Sequence, residues 1–278
     1  EYARHLLVGT RHVVASPAAF NNRLGLARAI NEGLDAGVEV LIAEMGTYGP
    51  GEIADLCRWI PPDIAVMTAV GPVHLERFGS LEAIARGKAE ILAGARVAVV
   101  NWDDPLVRAA VEARPGLQVI RCSAETAEAD VSVLGDGDSL VVRVGGVEAG
   151  RLPAGGVFPM NVACAAGIAH ALGVPPARLG ERLGGLPRPQ HRGVEGRSEA
   201  GVVSIDDTYN SNPAGARGAV ARLVAAVPGR RVLVTPGMIE MGRVQAAENR
   251  ALAEFAASRV ADLIVVGRTN RRALLAGA

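Results

Sequence analysis

The order in which two hydrophobic rhythms follow one another constrains this chain most. Short β-rich runs recur at Arg11–Ala15, Val38–Ala43, Asp63–Val70, Arg96–Asn101 and Gln118–Cys122. Ala-rich stretches of helical period lie between them at Leu24–Asp35, Glu52–Trp59, Leu81–Ala93 and Pro105–Ala113. Strands separated by helix-length crossovers run parallel, because a tight turn returns the chain antiparallel. The rhythm then changes. Val131–Leu134, Ser139–Val144 and Val147–Arg151 are split only by Gly-Asp-Gly-Asp and Gly-Gly, which predicts hairpins. Helices are expected at Asn161–Leu172 and Pro176–Leu183. Gly184–Gly193, rich in Pro and Gly, reads as a linker. Alternation restarts with strands Val202–Asp206, Arg231–Thr235 and Leu263–Gly267 and helices Pro213–Val227 and Gln245–Ser258. The predicted fold is α/β: a central, mostly parallel sheet with a small β-hairpin region, followed by a second open α/β domain. The chain opens and stops within helical patterns, so it reads as a fragment cut at both ends.

Composition narrows the function. Twenty-nine cationic residues balance 29 acidic ones among 278, so nothing provides the basic surface that nucleic acid or an anionic membrane recruits. A hydrophobic content of 49% provides a real core. Aromatics are only 3% while Gly numbers 34, so packing must come from small aliphatic side chains. Cys57, Cys122 and Cys164 lack metal-ligand spacing and fit a reducing compartment. No apolar run reaches membrane length. The cations are 28 Arg and a single lysine, Lys88. A guanidinium is always protonated and cannot replace a neutral amine.

Ligands of open α/β sheets sit beyond the carboxyl ends of the strands. Ser16, Asn21 and Asn22 follow the first predicted strand, Glu44 the second, and Gly71-Pro-Val-His74-Leu-Glu76 the third. In the second domain Asp206-Asp207-Thr-Tyr-Asn210-Ser-Asn212-Pro213 and Pro236-Gly-Met-Ile-Glu240 occupy the equivalent places. Glu44 and His74 come from strands expected to be neighbours, so their side chains could converge. Carboxylate and imidazole, with water and phosphate, suit Mg²⁺ or Mn²⁺. Each also has a plainer reading, Glu44 as a helix-start carboxylate and His74 as a loop or core histidine. Lys88 lies seven residues after Leu81 and four after Ile84, on the inward stripe of its helix. Burial lowers an amine's pKa, and a neutral amine can add CO₂ to give an anionic carbamate. A snorkelling stem with its head in water is the alternative. The chain contains neither a GxxxxGK[ST] phosphate loop nor a GxSxG elbow.

Three stretches resemble the central domain of Mur ligases: Glu44-Met-Gly-Thr-Tyr-Gly-Pro-Gly-Glu-Ile53, Gly71-Pro-Val-His-Leu-Glu-Arg-Phe-Gly-Ser-Leu-Glu82 and Lys88-Ala-Glu-Ile91. Ile205-Asp-Asp-Thr-Tyr-Asn-Ser-Asn-Pro213 resembles the opening of their C-terminal domain. The resemblance implies an ATPase-type central domain over residues 1–192, incomplete at its start. A Rossmann-like C-terminal domain over residues 193–278, incomplete at its end, would close over it about the linker. It implies ATP, two Mg²⁺ and a carbamylated Lys88 as cofactors. The substrates would be a UDP-linked muramoyl peptide and D-Ala-D-Ala, joined through an acyl phosphate by a cytoplasmic monomer of cell-wall synthesis that neither binds nucleic acid nor enters a membrane.

Residue by residue, Lys88 and His74 match catalytic positions, and Glu44, His74 and Lys88 match metal or phosphate-site positions. Asn161, Arg192 and Asp207 match contacts to ATP. Asn21 and Asn22 match a segment facing the peptide, and Asn210 and Asn212 line the entry of the incoming amine. The sequence departs from the family around Val157-Phe-Pro-Met160, upstream of Asn161, and at Thr235-Pro-Gly-Met-Ile-Glu-Met-Gly242. The family's phosphate loop would lie just before Glu1, so these 278 residues alone are expected not to turn over ATP. A Mur-type ligase joining another amine and carboxylate, and a non-catalytic binding protein keeping the fold, are the alternatives.

Overall fold

The computed structural model describes residues 1–17, 20–155, 157–187, 194–208, 212–226 and 229–278, with the side chains of residues 194 and 195 outside the description. In chain order the elements are α1 (Tyr2–Leu7), β1 (Val13–Ala15), α2 (Arg23–Gly33), β2 (Val40–Ile42), α3 (Glu52–Trp59), β3 (Ile64–Met67), α4 (Leu75–Phe78), α5 (Leu81–Ala89), β4 (Val97–Asn101), α6 (Pro105–Glu112), β5 (Gln118–Ser123), β6 (Val131–Asp136), β7 (Ser139–Val144), β8 (Val147–Pro153), α7 (Pro159–Ala171) and α8 (Pro176–Leu183). They continue with β9 (Val194–Arg197), β10 (Val203–Asp206), α9 (Pro213–Ala226), β11 (Val232–Thr235), α10 (Gln245–Ala257), β12 (Asp262–Val265) and α11 (Arg271–Gly277). Two compact units result: Glu1–Val70 with Leu81–Pro187, and Gly71–Ser80 with Arg188–Ala278.

The first unit is built on a six-stranded sheet of order β3-β4-β5-β6-β7-β8. β3 to β6 are parallel, and β7 and β8 extend the sheet as antiparallel hairpins, as the change of rhythm after Cys122 predicts. β4 reads Val-Ala-Val-Val-Asn because both its faces are covered. Val99, with Ile120 and Cys122, packs into the cluster that holds α7. Ala98 and Val100 pack with Ala65, Met67, Val107 and Val111 on the opposite face. The small residues of α7 let it approach closely: a methyl added at Gly167 would lie 2.7 Å from Val99 Cγ1 and 2.8 Å from Cys122 Sγ. All three cysteines are buried free thiols. The neighbouring Cys164 and burial together raise the pKa of Cys122, which leaves it inert.

Two expectations change. β2 pairs with β1 in a separate two-stranded sheet, whereas β3 pairs with β4. The strands leading to Glu44 and His74 are therefore not neighbours, because three-residue β2 has its ladder with β1 alone among the described residues. The strands are also shorter than their hydrophobic runs: the run at Asp63–Val70 yields a strand only at Ile64–Met67, and the remainder becomes the loop that carries the site.

The second unit pairs β9 with β10 antiparallel and β11 with β12 parallel. β9 and α4 have no counterpart among the predicted elements. Ala216, Val220, Met238, Met241 and Leu252 form its apolar cluster. Two fully or nearly buried amides organise the loop after β11. Asn249 accepts from Met238 N–H (2.7 Å) and donates to the Met238 and Gln245 carbonyls (2.9 and 2.8 Å). Asn270 donates to the carbonyls of Pro236 and Met238, both at 3.0 Å. Of the expected hinge Gly184–Gly193, residues 188–193 lie outside the described residues.

Candidate active site

In the first unit the site forms where β1 to β4 end. Ser16 follows β1 and Glu44 lies just after β2. The Glu44 N–H donates to Ser16 Oγ (3.1 Å), and Asn21 Nδ2 donates to Glu44 Oε1 (3.3 Å). Asn21 and exposed Glu44 thus share one polar cluster. Asn22 instead caps α2, its Oδ1 accepting from Gly25 N–H at 3.0 Å. The glycine-rich loop after Glu44 is held by two carboxylates that motif reading left without a role. Glu52 accepts from Tyr48 N–H (2.7 Å) and Gly49 N–H (3.3 Å). Glu90 accepts from Gly51 N–H (2.7 Å) and Ala54 N–H (3.0 Å) at the start of α3, satisfying amides that a helix start leaves open.

Lys88 is half-buried on α5, as its spacing from buried Ile84 predicts, although Leu81, the other residue expected on that inward stripe, is exposed. Its Nζ donates to the Ala69 carbonyl (2.8 Å), just beyond β3. Burial lowers its pKa, and the nearby Asp104 carboxylate opposes that shift. Asp104 caps α6, accepting from Leu106 N–H (2.9 Å), Val107 N–H (3.2 Å) and, across the loop, Val70 N–H (2.8 Å). Asn101 Nδ2 donates to Thr68 O at 2.8 Å. The Thr68–Val70 strand end is therefore pinned by Asn101, Asp104 and Lys88. Sequence reading found the lysine and missed the two partners, although Asp104 before Pro105 carries a helix-start signal.

In the second unit His74 precedes α4, and its Nδ1 hydrogen-bonds Glu240 Oε2. His74, Glu76, Arg77 and Glu240 line a cavity of about 190 Å³. Asp207 pairs with Arg222 at 3.5 Å. Asp206 accepts from Thr208 N–H and Oγ1 (3.1 and 2.7 Å), ordering the turn after β10. Asn212 accepts from Gly215 N–H (2.9 Å) in the first turn of α9. Asn161 is exposed in the first turn of α7. Arg192 and Asn210 lie outside the described residues. Glu44 and Lys88 thus belong to the first unit and His74 to the second.

Among the described residues no three His, Cys, Asp or Glu gather as a metal cage. Mg²⁺ keeps several waters and binds one or two carboxylates together with substrate phosphates. The Glu44 carboxylate beside an amide and a hydroxyl is the oxygen-donor chemistry that such an ion takes.

Residues 1–169 of this mostly parallel α/β chain match the Mur ligase middle domain, and the chain belongs to the Mur ligase family. Among characterised relatives it is 34% identical over 227 residues to the UDP-N-acetylmuramoyl-tripeptide–D-alanyl-D-alanine ligase of Mycobacterium leprae, covering 72% of this chain and 43% of that enzyme. A crystal structure of MurF from Acinetobacter baumannii superimposes with a TM-score of 0.85 at 26% identity, covering 100% of this chain and 62% of that one. MurF ligase from Thermotoga maritima in complex with ADP gives a TM-score of 0.82 at 26% identity, covering 99% and 65%. The chain spans about half the length of the curated relatives it matches.

Proposed function

We propose that this chain is the central domain (residues 1–192) and part of the C-terminal domain (residues 193–278) of an ATP-dependent ligase that joins D-Ala-D-Ala to a UDP-linked muramoyl tripeptide. Relatives named for that reaction support the substrate choice. The observation that carries the chemistry is Lys88: the single lysine, half-buried, its pKa lowered, with its Nζ at the carboxyl end of β3. In its neutral form the amine adds CO₂, forming an N–C bond and releasing a proton, and the resulting carbamate is an oxygen ligand that arginine cannot form.

The substrate carboxylate attacks the γ-phosphorus of ATP, giving an acyl phosphate and ADP. The amine of D-Ala-D-Ala then attacks the acyl carbon, and phosphate leaves. Bound Mg²⁺ supplies charge that offsets the developing negative charge on the phosphoryl oxygens. Glu44, the Lys88 carbamate and His74 would hold it, with Lys88 and His74 closest to the reaction. Asn161, Arg192 and Asp207 contact ATP, while Asn21, Asn22, Asn210 and Asn212 face the peptide and incoming amine. Asn22 and Asn212 do so only through donors left over from their helix-capping bonds. The enzyme works as a cytoplasmic monomer, and among the described residues no helix is long and apolar enough to cross a membrane.

The test uses ¹³C-bicarbonate. A carbamate resonance assigned to Lys88 by its loss in Lys88→Arg supports the reading, and its absence at alkaline pH refutes it. Product analysis of the full-length enzyme then decides the substrates. ADP and phosphate must appear with the dipeptide adduct. Phosphate released without any amine points to a plain ATPase, and acceptance of a different amine places the chain in another Mur-type pathway.

A further inference from the structure

We infer that Glu240 is a positioning residue for His74, its carboxylate accepting the Nδ1–H proton so that Nε2 carries the lone pair. Three observations converge on this pair. First, Nδ1 of His74 is the ring nitrogen that meets Glu240 Oε2, and a carboxylate is an acceptor for an imidazole N–H. Second, His74 (φ 55°) and Glu240 (φ 61°) are the two non-glycine residues with positive φ among the described residues, and they touch each other. Backbone held in that region concentrates where side-chain aim matters more than local comfort. Third, the loop bearing Glu240 is held from beneath. Asn249 and Asn270 bind Met238 and Pro236, Met241 N–H donates to Gln245 Oε1 (3.4 Å), and Gln245 Nε2 donates to Asn270 Oδ1 (2.9 Å). A methyl at Gly237 (φ 77°) would lie 2.3 Å from Asn249 Oδ1, so the approach of loop to amide is built around that glycine.

A carboxylate bound to one imidazole nitrogen fixes the ring's tautomer and orientation and makes the other nitrogen a better ligand or acceptor. The inference rests on the reading that His74 serves the metal–phosphate site. It adds that Glu240, on a loop remote in sequence, decides which nitrogen His74 presents.

The experiment is ¹⁵N-histidine NMR on this chain, with His74 assigned by comparison with His74→Gln. The expected wild-type spectrum has a protonated Nδ1 and an unprotonated Nε2 at His74. Glu240→Ala should redistribute the two tautomers. Glu240→Gln, which keeps an acceptor of the same size, should retain part of the preference and shows that the loop stays folded. In the full-length enzyme, Mn²⁺ with ADP should broaden the Nε2 resonance, and the Mn²⁺ needed should rise about tenfold in Glu240→Ala. An Nε2–H tautomer in the wild type, or a tautomer unmoved by Glu240→Ala, overturns the inference. The expected tautomer with no Mn²⁺ effect at Nε2 instead overturns the metal-site reading beneath it and reduces Glu240 to a structural clasp.

Discussion

At Lys88 three influences act on one nitrogen. Burial favours the neutral amine, Asp104 favours the ammonium, and the Ala69 carbonyl fixes its direction. On the proposed function, that balance makes the amine available to CO₂ without leaving it unpartnered. Lys88→Arg in the full-length ligase should lower turnover by about 10²-fold or more, partly restored by added short carboxylates. Steady-state kinetics with and without acetate checks this, and unchanged turnover would favour a non-catalytic protein. Helical spacing from buried Ile84 placed this lysine inward, since i and i+4 share a face, while Leu81 at the start of α5 is exposed. Glu240 could not be read the same way. Its role depends on a left-handed backbone at a non-glycine position and on a contact between distant segments, neither of which leaves a mark in local sequence.

Elements place these residues, and two of them can be tested directly. The α6 cap is shared: Asp104 serves Leu106, Val107 and Val70. Asp104→Ala should cost about 1–2 kcal/mol, measured by urea unfolding, and should lower the Lys88 pKa further because its stabilising carboxylate is gone. α7 is confined by its neighbours. Gly167→Ala drives a methyl against Val99 and Cys122 and should cost about 1–3 kcal/mol from overpacking, despite alanine's better helix propensity. A neutral or stabilised variant would show that α7 can shift away from the sheet. Parallel strands, hairpins and most helices were legible because period and turn chemistry agree locally. Strand ends were not, because Thr68, Ala69 and Val70 are as β-prone as the residues before them. What ends β3 is side-chain bonding from Asn101, Asp104 and Lys88.

At the scale of the whole molecule, the acid limb of stability has an identifiable contributor. Arg121 binds Asp130 through Nε and a second guanidinium nitrogen, both at 3.0 Å, while the Arg121 N–H donates at 2.8 Å. These bonds hold the Asp130 carboxyl below its usual value of 3.8. The folded state therefore binds its proton less readily than the unfolded chain. The pair's stabilisation is complete above that usual value and is lost as pH falls through the lowered one. Asp130→Asn should thus be less stable than wild type at neutral pH, with the gap closing in strong acid. Thermal unfolding from pH 7 to pH 2 reads this directly, and a gap independent of pH would assign the loss to packing. The division into units was the least legible feature. The segment Gly71–Ser80 clusters with residues beyond position 187, although its neighbours on both sides belong to the first unit.

The scarcity of lysine also has a practical side. Reagents that methylate or acylate primary amines find one side chain in this molecule to modify, and it is half-buried against a strand end. An isotopically enriched methyl placed there would report from a single interior address, free of the signal overlap that surface lysines create, and its labelling rate would record how often that interior opens to water.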